Sequence, residues 1–292
     1  MTDEKLVSII LPTHNREALL DRAVKSVFSQ TYRNWELIIV DDNSSDSTQE
    51  SVKAYLRDKR VTYLKLNNGA GGAEARNIGL RKAVGVFIAF LDDDDQWMND
   101  KLSKQIPLFA YDDNTAIVSC DFTIIDEFGT KRSVPRPEII TINDMLYDNF
   151  CGSFSFCVVK RDYLRDLEID RKLTIAQDWD LWNKILMRNG LNCRVHPDKL
   201  VNYYVHKGAR LTDKTKDSYL SFLLFLRKYF RMMNVYQQSL NLAYLTYFKH
   251  ITKNHDLLEN IRYLIKILRL FGRSKRLDLK KLSLLLKPVL HI

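Results

Sequence analysis

Cysteine is scarce in this chain: 292 residues hold 4 of them, Cys120, Cys151, Cys157 and Cys193, and no two stand at a metal-ligand spacing. That argues against a zinc framework and against a disulfide-stapled fold, and leaves four reduced core thiols. Long hydrophobic runs are missing too. The first apolar stretch, Leu6 to Leu11, is broken by Pro12 and has no leader-like flanks, and no later stretch approaches the length of a membrane span. The sequence therefore predicts a cytoplasmic chain. Internal repeats and low-complexity linkers are absent. So is a glycine-rich, basic phosphate loop after the first strand, where Pro12-Thr13-His14-Asn15-Arg16 stands instead. Composition is otherwise that of an ordinary globular protein, long enough for one large domain with an appendage.

Charge is unevenly placed. Residues 213 to 292 carry 16 Lys and Arg against 5 Asp and Glu, a net +11, while residues 1 to 212 carry 29 against 31, a net −2, so the whole formal +9 lies in the tail. The tail's cations alternate with Leu, Ile, Phe and Tyr at helical spacing, which fits an anionic membrane surface better than nucleic acid. The clearest helix, Asp256 to Phe271, places Leu257, Leu258, Ile261, Leu264, Ile265 and Leu268 on one side. Arg262, Arg269, Arg273, Lys275, Arg276, Lys280 and Lys281 are the expected membrane contributors.

In chain order, a strand over Val7 to Leu11 leads to a helix over Glu17 to Gln30. A second strand, Glu36 to Val40, stops at Asp41-Asp42-Asn43-Ser44-Ser45-Asp46 before a helix over Ser47 to Leu56. A third strand, Val61 to Leu66, a glycine-rich turn over Asn67 to Gly72 and a helix over Ala73 to Ala83 complete three β-α units. They imply an α/β fold with a doubly wound, mostly parallel sheet and right-handed crossovers. The pattern then changes: helix over Asp100 to Tyr111, strand over Ala116 to Ile125, short helix over Asn143 to Tyr147, strand over Ser153 to Lys160, helix over Ile175 to Asn189 closed by Gly190, and extended chain over Val195 to Val205. A helical extension follows a boundary near Asp213, dividing the chain into residues 1 to 212 and 213 to 292.

The stretch VGVFIAFLDDDDQW, Val84 to Trp97, organises the rest. Val86 to Leu91 has no polar alternation, which suits a buried parallel strand, and four aspartates, Asp92 to Asp95, emerge at its C-terminal end. Ligands bind at that end in open α/β sheets. Adjacent carboxylates repel one another. On an extended segment Asp92 and Asp94 would point the same way and converge on one hard cation. A solvated acidic loop is the alternative.

PTHNR after strand 1, VDDNSSD after strand 2, GGAEARNIGL, FLDDDDQW and QDWDLW, in this order and spacing, resemble the inverting family-2 glycosyltransferases of GT-A fold over residues 5 to 212. The tail resembles nothing we can name. The resemblance implies a UDP-sugar donor, a glycan or lipid-linked glycan acceptor in cell-surface polysaccharide synthesis, and Mn²⁺ or Mg²⁺. It puts Asp92 and Asp94 on the metal with Asp93 near the ribose, and Pro12, Thr13, His14, Asn15, Asp41 and Asp42 around the nucleotide. Asp42 would read uracil, and His14 stands where many relatives have an aromatic residue. Arg76 would face the diphosphate or nucleotide and Asp178 would be the general base, with Asp180 the fallback. The family's usual acidic pair is broken here, since Gln177 replaces its first member. His206 lies where some GT-A enzymes bring a late histidine to the metal.

Each assignment has a structural competitor. Asp41 or Asp42 can cap a helix, Arg76 and His206 can be surface residues, Asp178 can be a first-turn acid favoured by the helix dipole, and Trp97, Trp179 and Trp182 can be core rather than a sugar platform. Among whole-protein readings, a nucleotidyltransferase of sugar-nucleotide metabolism and a non-catalytic membrane-associated scaffold with a decayed transferase domain compete with the transferase. No nucleic-acid partner is expected. The chain is expected on the inner face of the cell membrane as a peripheral protein.

Overall fold

The computed structural model describes residues 4–126, 129, 131–132, 136–188, 190–205, 216–251 and 257–274. Strand β1 (Val7–Thr13) is buried along its whole length. A central strand covered on both faces needs apolar side chains on both, which is why its sequence does not alternate. It pairs in parallel with β2 (Trp35–Asp41) on one side and with β4 (Phe87–Phe90) on the other, and β2 pairs in parallel with β3 (Val61–Lys65). Helices α1 (Glu17–Phe28), α2 (Thr48–Lys53) and α3 (Gly71–Lys82) connect these strands in turn. The first of them buries Leu20, Ala23, Val24 and Val27, the spacing that turns one helical face to the core. On α3, a Cβ at Gly79 would stand 2.4 Å from Ile10 Cγ2, so this helix lies closer to β1 than any side chain would allow.

After β4 come β5 (Gln96–Trp97), α4 (Lys101–Gln105), β6 (Thr115–Ile125), β7 (Lys131–Arg132), β8 (Ile139–Ile140), α5 (Ile142–Met145), β9 (Val158–Lys160), α6 (Gln177–Leu186) and β10 (Asn192–Tyr204). The sheet runs β3-β2-β1-β4-β9-β6-β10-β5, with β7 on β6 and β8 on β10. Its first four strands are the expected doubly wound parallel half. The rest is mixed, because β9 lies antiparallel to both β4 and β6 while β10 runs parallel to β6.

Two elements differ from the sequence expectation for local reasons. The helix expected over Asp100 to Tyr111 stops at Gln105 and continues as a 3-10 segment, Ile106–Ala110, because Pro107 has no N–H to give. The strand expected from Ser153 starts only at Val158. The Ser153 hydroxyl accepts the Ser155 N–H and closes a 3-10 turn, Phe154–Phe156, that drives Phe154 in among Phe90 and Trp182, ring centroids 5.0 and 5.6 Å away. All three candidate platform tryptophans are core. Trp97, Trp179 and Trp182 are buried, and their indole N–H groups donate to the carbonyls of Ser155, Met145 and Gly152 at 2.9, 2.7 and 2.9 Å.

The chain forms two compact units. One comprises Met1–Met145, Asn149–Arg171 and Gln177–Lys207, the other Leu146–Asp148, Lys172–Ala176 and Gly208–Ile292. The second unit contains α7 (Lys216–Tyr229), α8 (Val235–Ile251) and α9 (Leu257–Ser274). Leu240, Ala243, Tyr263, Ile267 and Leu270 form a core there, with Tyr147 packed against it. Its two short upstream segments are hydrogen-bonded into it. Thr174 N and Ile175 N donate to Ser221 Oγ at 3.0 and 3.1 Å, and Asn241 Nδ2 donates to Leu146 O at 3.2 Å. The expected boundary at Asp213 lies outside the described residues. No described helix is long and apolar enough to cross a membrane.

Candidate active site

The C-terminal ends of β1, β2 and β4 meet at one edge of the parallel half, and their loops hold most of the residues singled out by sequence. Leu91 N still donates to Ile10 O at 3.0 Å, after which the chain turns: Asp95 N donates to Asp92 O at 3.1 Å. The four aspartates thus occupy a tight turn. Alternation along an extended segment does not describe them, and the turn brings the carboxylates together instead.

Each carboxylate has its own surroundings. Asp92 Oδ1 accepts Arg76 Nη2 at 2.5 Å, its Oδ2 accepts Ser153 Oγ at 3.3 Å, and its N–H donates to Ser155 Oγ at 3.0 Å. Asp93 Oδ2 accepts the Thr13 hydroxyl at 2.8 Å. Burial pushes Asp93 up to about 7, the Thr13 bond and Arg16 opposing and the charges of Asp94 and Asp92 adding. The backbone carbonyl of Asp94 accepts Arg22 Nη2 at 2.5 Å, and the Arg22 guanidinium stacks 3.6 Å from the Tyr204 ring. Asp95 is fully buried. Its Oδ1 accepts Tyr204 N–H at 3.3 Å, its Oδ2 has no hydrogen-bond partner, and burial followed by the charges of Asp92 and Asp94 raises it well above the usual carboxylate range.

The nucleotide-side candidates lie in the neighbouring loops. Asp41 is wholly buried and spends its oxygens on Ser44 N–H, at 2.8 Å, and on the Tyr63 hydroxyl. Asp42 Oδ1 and Oδ2 accept the N–H groups of Ala70 and Gly71 at 2.6 and 2.8 Å, capping α3. Gly71 has φ +83, a conformation that suits glycine and aims its amide at Asp42. His14 Nδ1 lies 2.7 Å from Asp42 O, and Asn15 Oδ1 accepts Ser45 N–H at 2.8 Å with φ +52. Pro12 is buried, whereas His14 and Asn15 are exposed. The structure therefore joins Thr13 directly to the aspartate turn and gives Asp41 and Asp42 local structural partners.

Asp178 reaches the same place from the other half of the sheet. Ala176 has φ +60, a left-handed conformation that costs an alanine about 1–2 kcal/mol, and it swings the chain into α6 so that Asp178 stands in the first turn. Burial lifts its carboxyl to about 6. The Trp179 N–H, donated at 2.7 Å, opposes this, the charge of Asp92 adds to it and that of Arg76 opposes it again. Gln177 Oε1 accepts Arg76 Nη1 at 3.4 Å, and the guanidinium lies 4.3 Å from the Phe154 ring. Arg76 thus links Asp92 with the segment that carries Asp178. Asp180 differs: it is fully buried and paired with Lys184 Nζ at 2.8 Å. His206 lies outside the described residues.

The set holds hard oxygen donors, and several of them carry charge that burial disfavours, which is the setting a divalent cation relieves. In chemistry these residues fit Mn²⁺ or Mg²⁺. In geometry Asp92 is committed to Arg76, which competes with a cation for it, and among the described residues no three His, Cys, Asp or Glu side chains already form a ligand group. Sequence reasoning missed Arg22, Ser153, Ser155 and Tyr204. None lies in a charged run, and only the Ser-Phe alternation of 153–156 marks the turn that supports Asp92.

A base must be deprotonated to accept a proton, so Asp178, in the role that the resemblance implies for it, would set the acid limb of turnover. The expected result is a kcat/KM that is flat above about pH 7 and falls tenfold per pH unit below about 6. An acid limb centred near 4 would remove Asp178 from that role.

Residues 8–168 match the family described as Glycosyl transferase family 2. The chain is 36% identical over 191 residues to "UDP-Glc:alpha-D-GlcNAc-diphosphoundecaprenol beta-1,3-glucosyltransferase WfgD" of Escherichia coli, covering 65% of this chain and 73% of that protein. It is 32% identical over 210 residues to "Putative teichuronic acid biosynthesis glycosyltransferase TuaG" of Bacillus subtilis (strain 168), covering 69% and 82%. Among solved structures, S. aureus TarS 1-349 in complex with UDP-GlcNAc superposes with a TM-score of 0.66 at 20% identity, over 92% of this chain and 81% of that one. The mannosyltransferase PcManGT from Pyrobaculum calidifontis, in complex with GDP-Man and Mn²⁺, gives 0.57 at 18% identity, over 98% and 80%.

Proposed function

The chain belongs to glycosyl transferase family 2 and is a glycosyltransferase, and from that premise we propose that it moves a hexose from a UDP-sugar to a hydroxyl of a lipid-linked glycan, inverting the anomeric carbon. One observation carries the reading: Asp178 shares an electrostatic neighbourhood with Arg76 and the Asp92–Asp95 turn, at the sheet edge where α/β proteins bind nucleotides. Asp178, raised to about 6, is mostly ionised at neutral pH yet keeps more basicity than an exposed aspartate, which suits removal of a proton from an acceptor hydroxyl. Arg76 offers paired N–H donors that suit a diphosphate, and it shares them now with Asp92 and Gln177. Asp92 and Asp94 would hold Mn²⁺ or Mg²⁺, with Asp93 toward the ribose and His206 as a further ligand. Such an ion supplies Lewis-acid stabilisation of the departing diphosphate. Pro12, Thr13, His14, Asn15 and Asp42 would line the nucleotide side, with Asp41 buried beneath them on Ser44 N–H and the Tyr63 hydroxyl, and Asp42 sets the shape of the loop through its bonds to Ala70 and Gly71 at the start of α3.

Support for the acceptor comes from the WfgD relative, whose name specifies a diphosphoundecaprenol substrate. An enzyme that works on a membrane-held substrate belongs on the inner membrane face, where the basic tail meets anionic lipid. The experiment is a donor screen that reads release of free nucleoside diphosphate with Mn²⁺ and a diphosphopolyprenol-linked sugar as acceptor. UDP should appear with one or a few UDP-sugars and with no other nucleotide class. Release of another nucleoside diphosphate, with no UDP from any UDP-sugar, would overturn the donor reading.

A further inference from the structure

Helix α9 leaves two aliphatic residues of the stripe that its sequence pattern singles out exposed. Leu257, Leu258, Ile261, Leu264, Ile265 and Leu268 form its apolar stripe by spacing, and such a stripe ordinarily turns inward. Among the described side chains of the helix the buried positions are Tyr263, Ile267 and Leu270, while Ile265 and Leu268 are 43% and 53% exposed. Arg262, Lys266 and Arg269 are exposed as well, and each stands three or four residues from one of the two aliphatic side chains or from another of the cations. The outer face is thus aliphatic with a cationic border. Glu259, one turn earlier, is the acid among the helix's described exposed residues. On α7 the arrangement recurs in smaller form: Leu220 and Leu224, 45% and 36% exposed, share a face with exposed Arg227 and Lys228.

We propose that the outer face of α9 lies on an anionic lipid bilayer, with Ile265 and Leu268 entering the interface and Arg262, Lys266 and Arg269 reaching lipid phosphates. The inference rests on the lipid-linked acceptor reading above and names the surface that would bring the enzyme to it. Three features select a bilayer rather than a protein partner. Long basic side chains beside aliphatic ones can snorkel toward headgroups while their stems cover apolar surface. The excess of +11 in residues 213 to 292 complements an anionic leaflet of any lipid identity and needs no matching pattern of acids. Ile265 and Leu268, left outside the helix's own core, also gain only where they are removed from water, and the basic side chains beside them match a headgroup layer.

The test is sedimentation of the full chain with phosphatidylglycerol vesicles and with phosphatidylcholine vesicles, at low and high salt. Two variants accompany it, Arg262→Ser/Lys266→Ser/Arg269→Ser and Ile265→Ser/Leu268→Ser, both at exposed positions. Each Lys or Arg near an anionic leaflet is worth roughly fivefold in partition, so the triple variant should bind anionic vesicles about a hundredfold more weakly. The double variant should lose about tenfold or more. Unchanged thermal melting and unchanged UDP affinity show that both remain folded. If the wild-type chain ignores anionic vesicles at low salt, the membrane reading and this face fall together. Binding that both variants retain removes this face and leaves the membrane reading standing. A dimer that the double variant dissociates, with vesicle binding unaltered, would give the face to a second copy. The UDP-release screen is read without vesicles, so its failure is distinct from each of these.

Discussion

Replacing Asp178 by Asn should lower turnover by about 10²- to 10⁴-fold, the range that a positioned general base contributes, while UDP-sugar still binds. The side chain keeps its shape and its bond from the Trp179 N–H, made to Oδ1 at 2.7 Å, so α6 should start where it does now. What disappears is the proposed proton acceptor, a carboxyl lifted to about 6 chiefly by burial. The lost charge also acted on its neighbours. With one anion fewer near Arg76 and Asp92, an anionic donor should bind as tightly as before or somewhat tighter. Asp180→Asn makes the contrast, because that carboxylate is fully buried against Lys184 at 2.8 Å. Breaking a buried pair typically costs about 3–5 kcal/mol, so this variant should lose stability in a urea titration and keep the rate per folded molecule. Wild-type turnover in Asp178→Asn, measured by UDP release with donor and acceptor saturating, would take the base away from this residue.

Much of this arrangement is legible in the sequence because local rules and tertiary demands agree. Val7–Thr13 and Phe87–Phe90 read as buried strands since both faces are covered, and the acids that follow Phe87–Phe90 mark the candidate ligand edge. The illegible parts depend on contacts between distant segments. Ser153 and Ser155 support Asp92 from about 60 residues further along the chain, and no spacing rule announces that. Arg22 looks like any polar-face helix residue until Tyr204 and the Asp94 carbonyl are placed beside it. The aspartates were expected on extended chain, whereas the bond from Asp95 N–H to Asp92 O makes them a turn. Asp42 shows a further limit. A carboxylate after a strand reads equally as a ligand for a base or as a cap, and only the positions of Ala70 and Gly71 reveal the cap it makes on α3. For α9 the pattern located the helix, yet Ile265 and Leu268 on its apolar side are exposed, since periodicity reports that a face is apolar and not what covers it.

The second large effect concerns the cation. Asp93 and Asp95 are pushed upward by burial and by neighbouring carboxylates, and Asp92 is held by Arg76. A divalent ion bound by Asp92 and Asp94 would offset that repulsion and free Arg76 for the diphosphate, so nucleotide and metal should bind cooperatively. Coupling between linked ligands is typically about 1–3 kcal/mol, or 5- to 150-fold in affinity. The measurement is isothermal titration of UDP into the full chain at pH 7.5, with Mn²⁺ and with chelator, for wild type and Asp94→Ala. The account predicts that wild type binds UDP at least about tenfold tighter with Mn²⁺ than with chelator, and that Asp94→Ala, with an unchanged melting profile, binds weakly in both. Equal UDP affinity with Mn²⁺ and with chelator in the wild type, or an Asp94→Ala variant that keeps the full Mn²⁺ enhancement, would contradict it.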